Sequence, residues 1–260
     1  MKMSVVTFSK DGAVGSITLS RPPVNSYEAG LMTELEEAID TGLADAEIKV
    51  VVLRSALEKF FSGGADIKAF TTTSAEDNLA MVTVAHRALS KMADSNKVFV
   101  AAINGHALGG GMEMALACDL RFAAQGEYRM GLPEVALGLL PGNGGTQRLP
   151  RLIGLNKALE MMLFGTTVTP DEALELGMIN RLLPFEGFQE AVDKLANRLA
   201  SGATFAMGQI KRAAIDGFST DLTSGLERER ELLAPLFDSH DAREGLSSFL
   251  EKRRPAFRGD

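Results

Sequence analysis

Cysteine is almost absent from this chain of 260 residues, and tryptophan is absent altogether. The single cysteine, Cys118, excludes an intrachain disulfide, so we expect a reducing compartment and interpret Cys118 as a small buried apolar residue. No run of about 18 apolar residues occurs, and the N-terminus lacks the apolar stretch of a signal peptide. We therefore expect a cytoplasmic protein with no membrane partner.

Excess positive charge is missing as well, because the formal net charge is -7 at pH 7. This balance argues against nucleic acid as a partner, although a local basic patch can still bind a small anion. The three histidines have neither HExxH spacing nor a cysteine partner, so we predict no metal site. A phosphate loop, a dinucleotide fingerprint and a nucleophile elbow are also absent.

The apolar residues that are present, 45% of the chain, are arranged in strand and helix patterns. Residues 5–19 predict a β-hairpin, and the apolar, β-branched runs at 48–53 and 97–103 predict buried strands of a parallel sheet. Helical periodicity lies between these strands, and the polar tract 71–78 predicts a loop. Strands that alternate with helices indicate an α/β fold.

The C-terminal part of the chain has a different pattern, with almost no strand signal beyond about residue 188. We therefore divide the chain into an α/β core at 1–195 and a helical region at 196–260.

Two glutamates stand in glycine-rich, apolar surroundings. Glu113 ends segment 104–113 (Asn-Gly-His-Ala-Leu-Gly-Gly-Gly-Met-Glu), and Glu134 follows segment 130–133 (Met-Gly-Leu-Pro). Burial in such surroundings raises the pKa of a carboxyl group, which can then donate a proton near neutral pH. Two such groups suggest a paired acid and base. Taken singly, each is equally compatible with an exposed carboxylate at a helix start.

Glycine also suggests where negative charge would be held. Gly63-Gly64 follows a predicted strand, and the glycine run 109–111 opens a predicted helix, so both segments can expose backbone N–H groups to a ligand. One N–H from each segment, directed at one point, would form an oxyanion hole. The alternative is that these glycines serve only close packing.

Three separated segments resemble the enoyl-CoA hydratase/isomerase (crotonase) family, and the likeness covers nearly the whole chain. They are 61–68 (Phe-Ser-Gly-Gly-Ala-Asp-Ile-Lys), 104–113 and 132–148. The C-terminal segment 243–257 is similar to the family as well. The resemblance implies a spiral of repeated ββα units, a C-terminal helical region that forms trimers or hexamers, and acyl-CoA thioester substrates. Coenzyme A is then part of the substrate, and no separate cofactor is expected.

The resemblance also implies roles for individual residues. The backbone N–H groups of Ala65 and Gly110 would form the oxyanion hole, and Glu113 and Glu134 would be the catalytic carboxylates. The residues expected to contact the acyl chain or CoA are Gly64, Asp66, Ile67, Lys68, Gly109, Leu132, Pro133, Gly142, Lys211 and Lys252, with Lys252 acting from a neighbouring subunit. Family position suggests an acyl pocket lined by Phe70, Met81, Leu140 and Pro141.

Two departures from the family pattern bear on the reaction. Leu132 stands where many hydratases have Gln, and Met112 stands where Cys is frequent. The leading hypothesis is reversible hydration of a trans-2-enoyl-CoA to a 3-hydroxyacyl-CoA. The alternatives are a Δ3,Δ2-enoyl-CoA isomerase, which needs only Glu134, or another acyl-CoA enzyme of the crotonase family. Outside enzymes, the alternative is a non-catalytic interaction protein on the same scaffold.

Overall fold

The computed structural model describes residues 4–260 and begins with the predicted hairpin. Strands β1 (Val6–Asp11) and β2 (Val14–Leu19) pair antiparallel around Gly12, whose φ of 55° lies in the left-handed region. Helix α1 (Ala29–Ala44) follows, and its buried residues Leu31, Leu35 and Ile39 lie on one face at one-turn spacing.

After α1 the chain repeats one unit three times: a strand in a large sheet, a strand in a small sheet, and then helix. The first unit is β3 (Val50–Ser55), β4 (Phe60–Ser62), α2 (Ile67–Thr72) and α3 (Ala75–Asp94). The second is β5 (Val98–Ile103), β6 (His106–Leu108) and α4 (Gly110–Ala117). The third is β7 (Leu120–Ala124), β8 (Met130–Gly131), a 3₁₀ helix (Glu134–Leu137), α5 (Gly145–Ile153) and α6 (Leu155–Phe164).

The chain then adds one further strand to each sheet, through β9 (Thr167–Val168), α7 (Pro170–Glu175) and β10 (Arg181–Leu183). The large sheet has the order β1-β2-β3-β5-β7-β10, and the small sheet has the order β4-β6-β8-β9. From β2 onward the large sheet is parallel, as are β4, β6 and β8. This arrangement confirms the α/β prediction and the spiral of ββα units.

The central strands β3 and β5 carry long apolar runs because the large sheet is covered on both faces. In β3, Val51 and Leu53 pack in the core cluster that includes α1 and α3, whereas Val50 and Val52 pack in a second cluster. The second cluster includes Phe188, Val192 and Ala196 of α8 (Phe188–Ala200). Alternate residues therefore enter different cores, which explains a continuous β-branched run.

The polar tract 71–78 is helical over most of its length, so the prediction of a loop there is wrong. It contains the end of α2 and the start of α3. Ser74 caps α3, because its Oγ accepts the Asp77 N–H while the Asp77 carboxylate accepts the Ser74 N–H. The polar residues that suggested a loop thus form a capping box.

The C-terminal part is helical, as predicted, and consists of α8, α9 (Thr204–Phe218), α10 (Leu222–Leu233), a second 3₁₀ helix (Ala234–Asp238) and α11 (His240–Leu250). The boundary placed between residues 195 and 196 lies inside α8, which packs on the large sheet. The division into a core and a C-terminal helical region stays a prediction. Within residues 4–260, no helix is both long and apolar enough to cross a membrane.

Lys211 connects α9 to the segments that precede strands β5 and β7 of the large sheet through hydrogen bonds of its side chain. Its side chain is 6% exposed, and its ammonium donates to the carbonyl oxygens of Met92 and Lys97 and to the Asp119 carboxylate, at 2.6, 2.9 and 2.9 Å. Asp119 also accepts the N–H of Phe99 at 2.7 Å. Since Lys211 is buried and its three N–H groups have partners, this structural role corrects the prediction that Lys211 contacts CoA.

We predict that Lys211→Ala lowers the free energy of unfolding by about 3–5 kcal/mol, because it leaves the Asp119 carboxylate buried without its cation. Urea unfolding followed by circular dichroism measures the change. Lys157→Ala is the control, since Lys157 pairs with Glu160 at the surface, where an ion pair contributes little. Equal stability of the two variants would contradict the role given to Lys211.

Candidate active site

Two glycine turns bring β4 and β6 of the small sheet into backbone contact. One turn, residues 63–66, follows β4, and the other, residues 109–111, follows β6. A Cβ added at Gly64, where φ is +88°, would lie 2.8 Å from the carbonyl oxygen of Leu108. A Cβ added at Gly111 would overlap the carbonyl oxygen of Ser62. Only glycine permits this approach, so these residues are required by geometry.

The first turn presents the Ala65 N–H to the site. Tyr27 pairs with Ala65 in a parallel bridge, in which the Tyr27 N–H donates to Gly64 O at 2.9 Å and Tyr27 O accepts the Asp66 N–H at 2.8 Å. In an extended strand successive N–H groups alternate in direction, so the Ala65 N–H points away from Tyr27. It has no hydrogen-bond acceptor within the described chain.

The second turn supplies the N–H of Gly110, the first residue of α4. The first bond of this helix runs from the Glu113 N–H to Gly109 O, which leaves the Gly110 N–H without an intrahelical acceptor. A Cβ added at Gly64 would lie 3.4 Å from this nitrogen, so the two turns place the Ala65 and Gly110 amides next to each other. We call these two N–H groups the amide pair. The geometry supports their predicted use as an oxyanion hole.

Glu113 lies in the first turn of α4 and is 1% exposed. Its Oε1 accepts two backbone N–H groups, from Asn143 and Gly145, each at 2.7 Å. Burial raises the pKa of Glu113, while these two hydrogen bonds and the charge of Arg148 oppose the rise. The carboxylate is therefore held in a defined orientation by donors that favour its ionised form.

Glu134 begins the 3₁₀ helix after β8 and faces the second glycine turn. A Cβ at Gly109 would lie 2.9 Å from Glu134 Oε1, so the carboxyl group lies against the turn that carries Gly110. Its Oε2 is buried without a hydrogen-bond partner among residues 4–260. Burial, with a contribution from the charge of Glu113, raises the pKa of Glu134 to about 7. The fold thus brings the two predicted carboxyl groups to one site.

The predicted substrate residues after Ala65 lie at the start of α2. Asp66 caps this helix by accepting the N–H groups of Lys68 and Ala69, and it pairs with Arg21 at 2.9 Å. Its carboxylate therefore stabilises the turn, and the hydrogen bond from Arg21 lowers its pKa. Ile67 and Lys68 are exposed beside it and remain candidates for substrate contact.

Other predicted residues lie around Glu134 or far along the chain. Leu132 is buried and Pro133 is half-buried immediately before Glu134, and Gly142 O accepts a hydrogen bond from His86 Nε2 at 2.6 Å. Lys252 is exposed in the turn after α11. Of the suggested acyl-pocket residues, Met81 and Pro141 are buried, Phe70 is half-buried and Leu140 is exposed.

Three further polar residues reach the site. The buried Asn143 side chain donates from Nδ2 to the Tyr27 hydroxyl oxygen at 2.5 Å, and Arg148 donates to Asn143 O at 2.9 Å. A polar residue inside the glycine run 142–145 was a visible signal for Asn143. No sequence motif marks Tyr27, which follows the hairpin. Its position depends on contacts with residues that are distant from it in the sequence.

A separate cavity of about 490 Å³ lies between α4, α5 and α9, lined by residues that include Cys118, Arg148 and Lys211. Neither Glu113 nor Glu134 lines it, so it is not the site described here. Cys118 itself is 3% exposed, which confirms that it is a buried core residue.

The fold and the site together define an enzyme of the crotonase fold. The chain belongs to the enoyl-CoA hydratase/isomerase family, whose model matches residues 9–260. It is similar to the crystal structure of an enoyl-CoA hydratase from Geobacillus kaustophilus, with a TM-score of 0.96 and 43% identity. That match covers 100% of this chain and 98% of the other.

Curated relatives show the same family over their full length. A 2,3-dehydroadipyl-CoA hydratase of Escherichia coli is 35% identical, with 99% of this chain and 100% of the relative covered. A short-chain-enoyl-CoA hydratase of Clostridium acetobutylicum is 32% identical, with 98% and 97% covered. The prediction of an enzyme of this family is thereby confirmed.

The raised pKa of Glu134 predicts a pH-dependent stability difference between the wild-type protein and Glu134→Gln. As pH rises from 4.5 to about 7, the folded protein keeps a proton that the unfolded chain releases, so wild-type stability falls. A glutamine side chain does not ionise, so the variant has no such loss of stability as pH rises. We expect the two melting temperatures to be similar near about pH 5 and that of the variant to be higher near about pH 8.

The exposed Glu127→Gln, between β7 and β8, is the matched control and should show no such divergence in a thermal melt. A constant difference between wild type and Glu134→Gln over this pH range would show that Glu134 ionises normally.

Proposed function

We propose that this protein adds water reversibly to a trans-2-enoyl-CoA and forms a 3-hydroxyacyl-CoA. The observation that carries the proposal is the placement of two carboxyl groups, Glu113 buried and Glu134 half-buried, with different hydrogen-bonding environments at one amide pair. Each component of this site has a distinct task in the reaction.

The amide pair would bind the thioester oxygen. When water adds at C3, negative charge moves onto this oxygen as an enolate, and the N–H groups of Ala65 and Gly110 stabilise it. The positive end of the α4 dipole acts in the same direction, because Gly110 is the first residue of that helix. The double bond thereby becomes electrophilic at C3.

Glu113 is suited to act as the base. The two backbone N–H groups on its Oε1 favour the carboxylate form and fix its orientation, which leaves Oε2 to accept a proton from the attacking water. An ionised base in a defined orientation is what the addition step requires.

Glu134 is suited to act as the acid. With a pKa of about 7, a substantial fraction carries a proton at neutral pH, and this proton can be delivered to C2 of the enolate. In the reverse direction the roles exchange: Glu134 removes the C2 proton and Glu113 returns a proton to the leaving hydroxyl.

The proposed substrate class is an acyl-CoA thioester, as the names of the relatives suggest. Those names range from a short-chain enoyl-CoA to 2,3-dehydroadipyl-CoA. They therefore support the type of reaction but do not favour an acyl chain of one particular kind. Lys68, exposed on α2, and Lys252 remain the proposed cationic contacts for the CoA phosphates.

A homotrimer, alone or paired into a hexamer, remains the proposed assembly. The helical region from α10 onward exposes several large apolar side chains, which supports association. They are Leu222, Phe237, Leu246, Phe249 and Leu250, between 68% and 82% exposed.

We predict that Glu113→Gln and Glu134→Gln each lower kcat for hydration of crotonyl-CoA by about 10²–10⁴-fold, because each removes one proton-transfer group. The loss of absorbance of the conjugated thioester measures the rate, and Glu127→Gln should match the wild-type protein. Near-normal turnover in either catalytic variant would contradict the proposal.

The same variants distinguish hydration from double-bond migration. If Glu113→Gln abolished hydration but retained conversion of a 3-enoyl-CoA to the 2-enoyl isomer, an isomerase that uses Glu134 alone would be the better assignment. Leu132, buried beside Glu134 where many hydratases have Gln, is the feature that makes this comparison necessary.

A further inference from the structure

Tyr27 contacts both halves of the amide pair and the side chain of Asn143, although it lies far from these residues in sequence. Its backbone forms the bridge to Ala65, with hydrogen bonds of 2.9 Å to Gly64 O and 2.8 Å from the Asp66 N–H. These two bonds determine the direction in which the Ala65 N–H points. The main chain of Tyr27 therefore sets one half of the amide pair.

The ring of Tyr27 packs on the other half. A Cβ added at Gly110 would overlap the hydroxyl oxygen and ring carbons of Tyr27, so the phenol lies directly against the Gly110 backbone. Tyr27 is 5% exposed, which leaves its ring little freedom to move. Both halves of the amide pair are thus braced by one residue.

The hydroxyl of Tyr27 connects this brace to Glu113 through Asn143. Asn143 Nδ2 donates to the hydroxyl oxygen at 2.5 Å, and the Asn143 backbone N–H donates to Glu113 Oε1 at 2.7 Å. Asn143 is 1% exposed and its Oδ1 has no partner among the described residues. The hydrogen bond to Tyr27 is therefore the one described side-chain hydrogen bond of this buried amide. Without it the amide group would be buried and unsatisfied, which favours a change in its position.

We propose that Tyr27 is a positioning residue, whose backbone directs the Ala65 amide and whose hydroxyl, through Asn143, holds the Glu113 carboxylate in its reactive orientation. The effect on catalysis rests on the proposed function, whereas the effect on Glu113 does not. Loss of the Tyr27 hydroxyl would make Asn143 more mobile and would weaken the hydrogen bond from its backbone N–H to Glu113.

Weakening this bond has a predictable effect on ionisation. The Asn143 N–H lowers the pKa of Glu113, so its loss raises that pKa. The titratable and charged groups that face Glu113 are Arg148 of α5, Glu134 of the 3₁₀ helix and Tyr27 itself. Burial and the two carboxylates keep the pKa of Tyr27 above its usual range, so the phenol stays neutral. Phe at this position therefore changes no charge.

The test is Tyr27→Phe, which keeps the ring volume and removes only the hydroxyl. We expect kcat for crotonyl-CoA hydration to fall roughly three- to tenfold with little change in KM, as for loss of one hydrogen bond. The acid limb of the kcat/KM profile should move to higher pH. Tyr128→Phe is the matched control, because Tyr128 is the second of two tyrosines and its hydroxyl donates to the backbone oxygen of Ala124.

A double-mutant cycle separates positioning from a general structural effect. Asn143→Ala keeps the backbone N–H but removes the amide anchor, so it should reproduce the slower turnover and the shifted acid limb. Tyr27→Phe combined with Asn143→Ala should be no slower than the slower single variant. Additive losses, or an unmoved acid limb in both single variants, would overturn the proposal. If one variant fails to fold, the acid limb of the kcat/KM profile of the other variant tests the proposal.

Infrared difference spectra against Glu113→Gln report the ionisation of Glu113 without any reaction. Titration of the wild-type protein and Tyr27→Phe should show the Glu113 acid band persisting to higher pH in the variant. This result would support the positioning role even if crotonyl-CoA and related esters were not hydrated. Coincident titrations would overturn it even in an active hydratase.

Discussion

The site depends on the contact between two backbone segments at a distance that no side chain would allow. Gly64 approaches the carbonyl of Leu108, and Gly111 approaches that of Ser62. This contact joins consecutive units of the ββα spiral at the ends of β4 and β6. It places the amide pair side by side, and it puts Glu113 and Glu134 at the same turn because both are attached to it, one through α4 and the other against Gly109.

Burial at this turn affects the two carboxyl groups unequally. Glu113 receives two backbone N–H groups, which oppose the rise in its pKa, whereas one oxygen of Glu134 is buried without a partner and its pKa is about 7. Two residues of one type thereby obtain the properties of a base and an acid from their surroundings. The difference between them arises from burial and hydrogen bonding, with smaller contributions from the charges of Arg148 and of Glu113 itself.

Local patterns predicted much of this structure. Alternating and β-branched runs located the hairpin and the buried strands, and the glycine segments located both turns and both carboxyl groups. The errors occurred where contacts between distant residues decide the outcome. Lys211, predicted to contact CoA, is instead buried where α9 packs against Asp119, and Tyr27 belongs to the site through its bridge to Ala65. Residues 71–78 were misassigned for a local reason, since capping residues and loop residues are of the same types.

The central claim is that one thioester binds between the amide pair and the two carboxyl groups. A crystal structure with butyryl-CoA, which has no double bond to hydrate, tests it most directly. The account predicts the thioester oxygen within about 3 Å of the Ala65 and Gly110 nitrogens. It also predicts C2 and C3 next to Glu134 and Glu113. A thioester bound elsewhere, with the amide pair unused, would contradict the account.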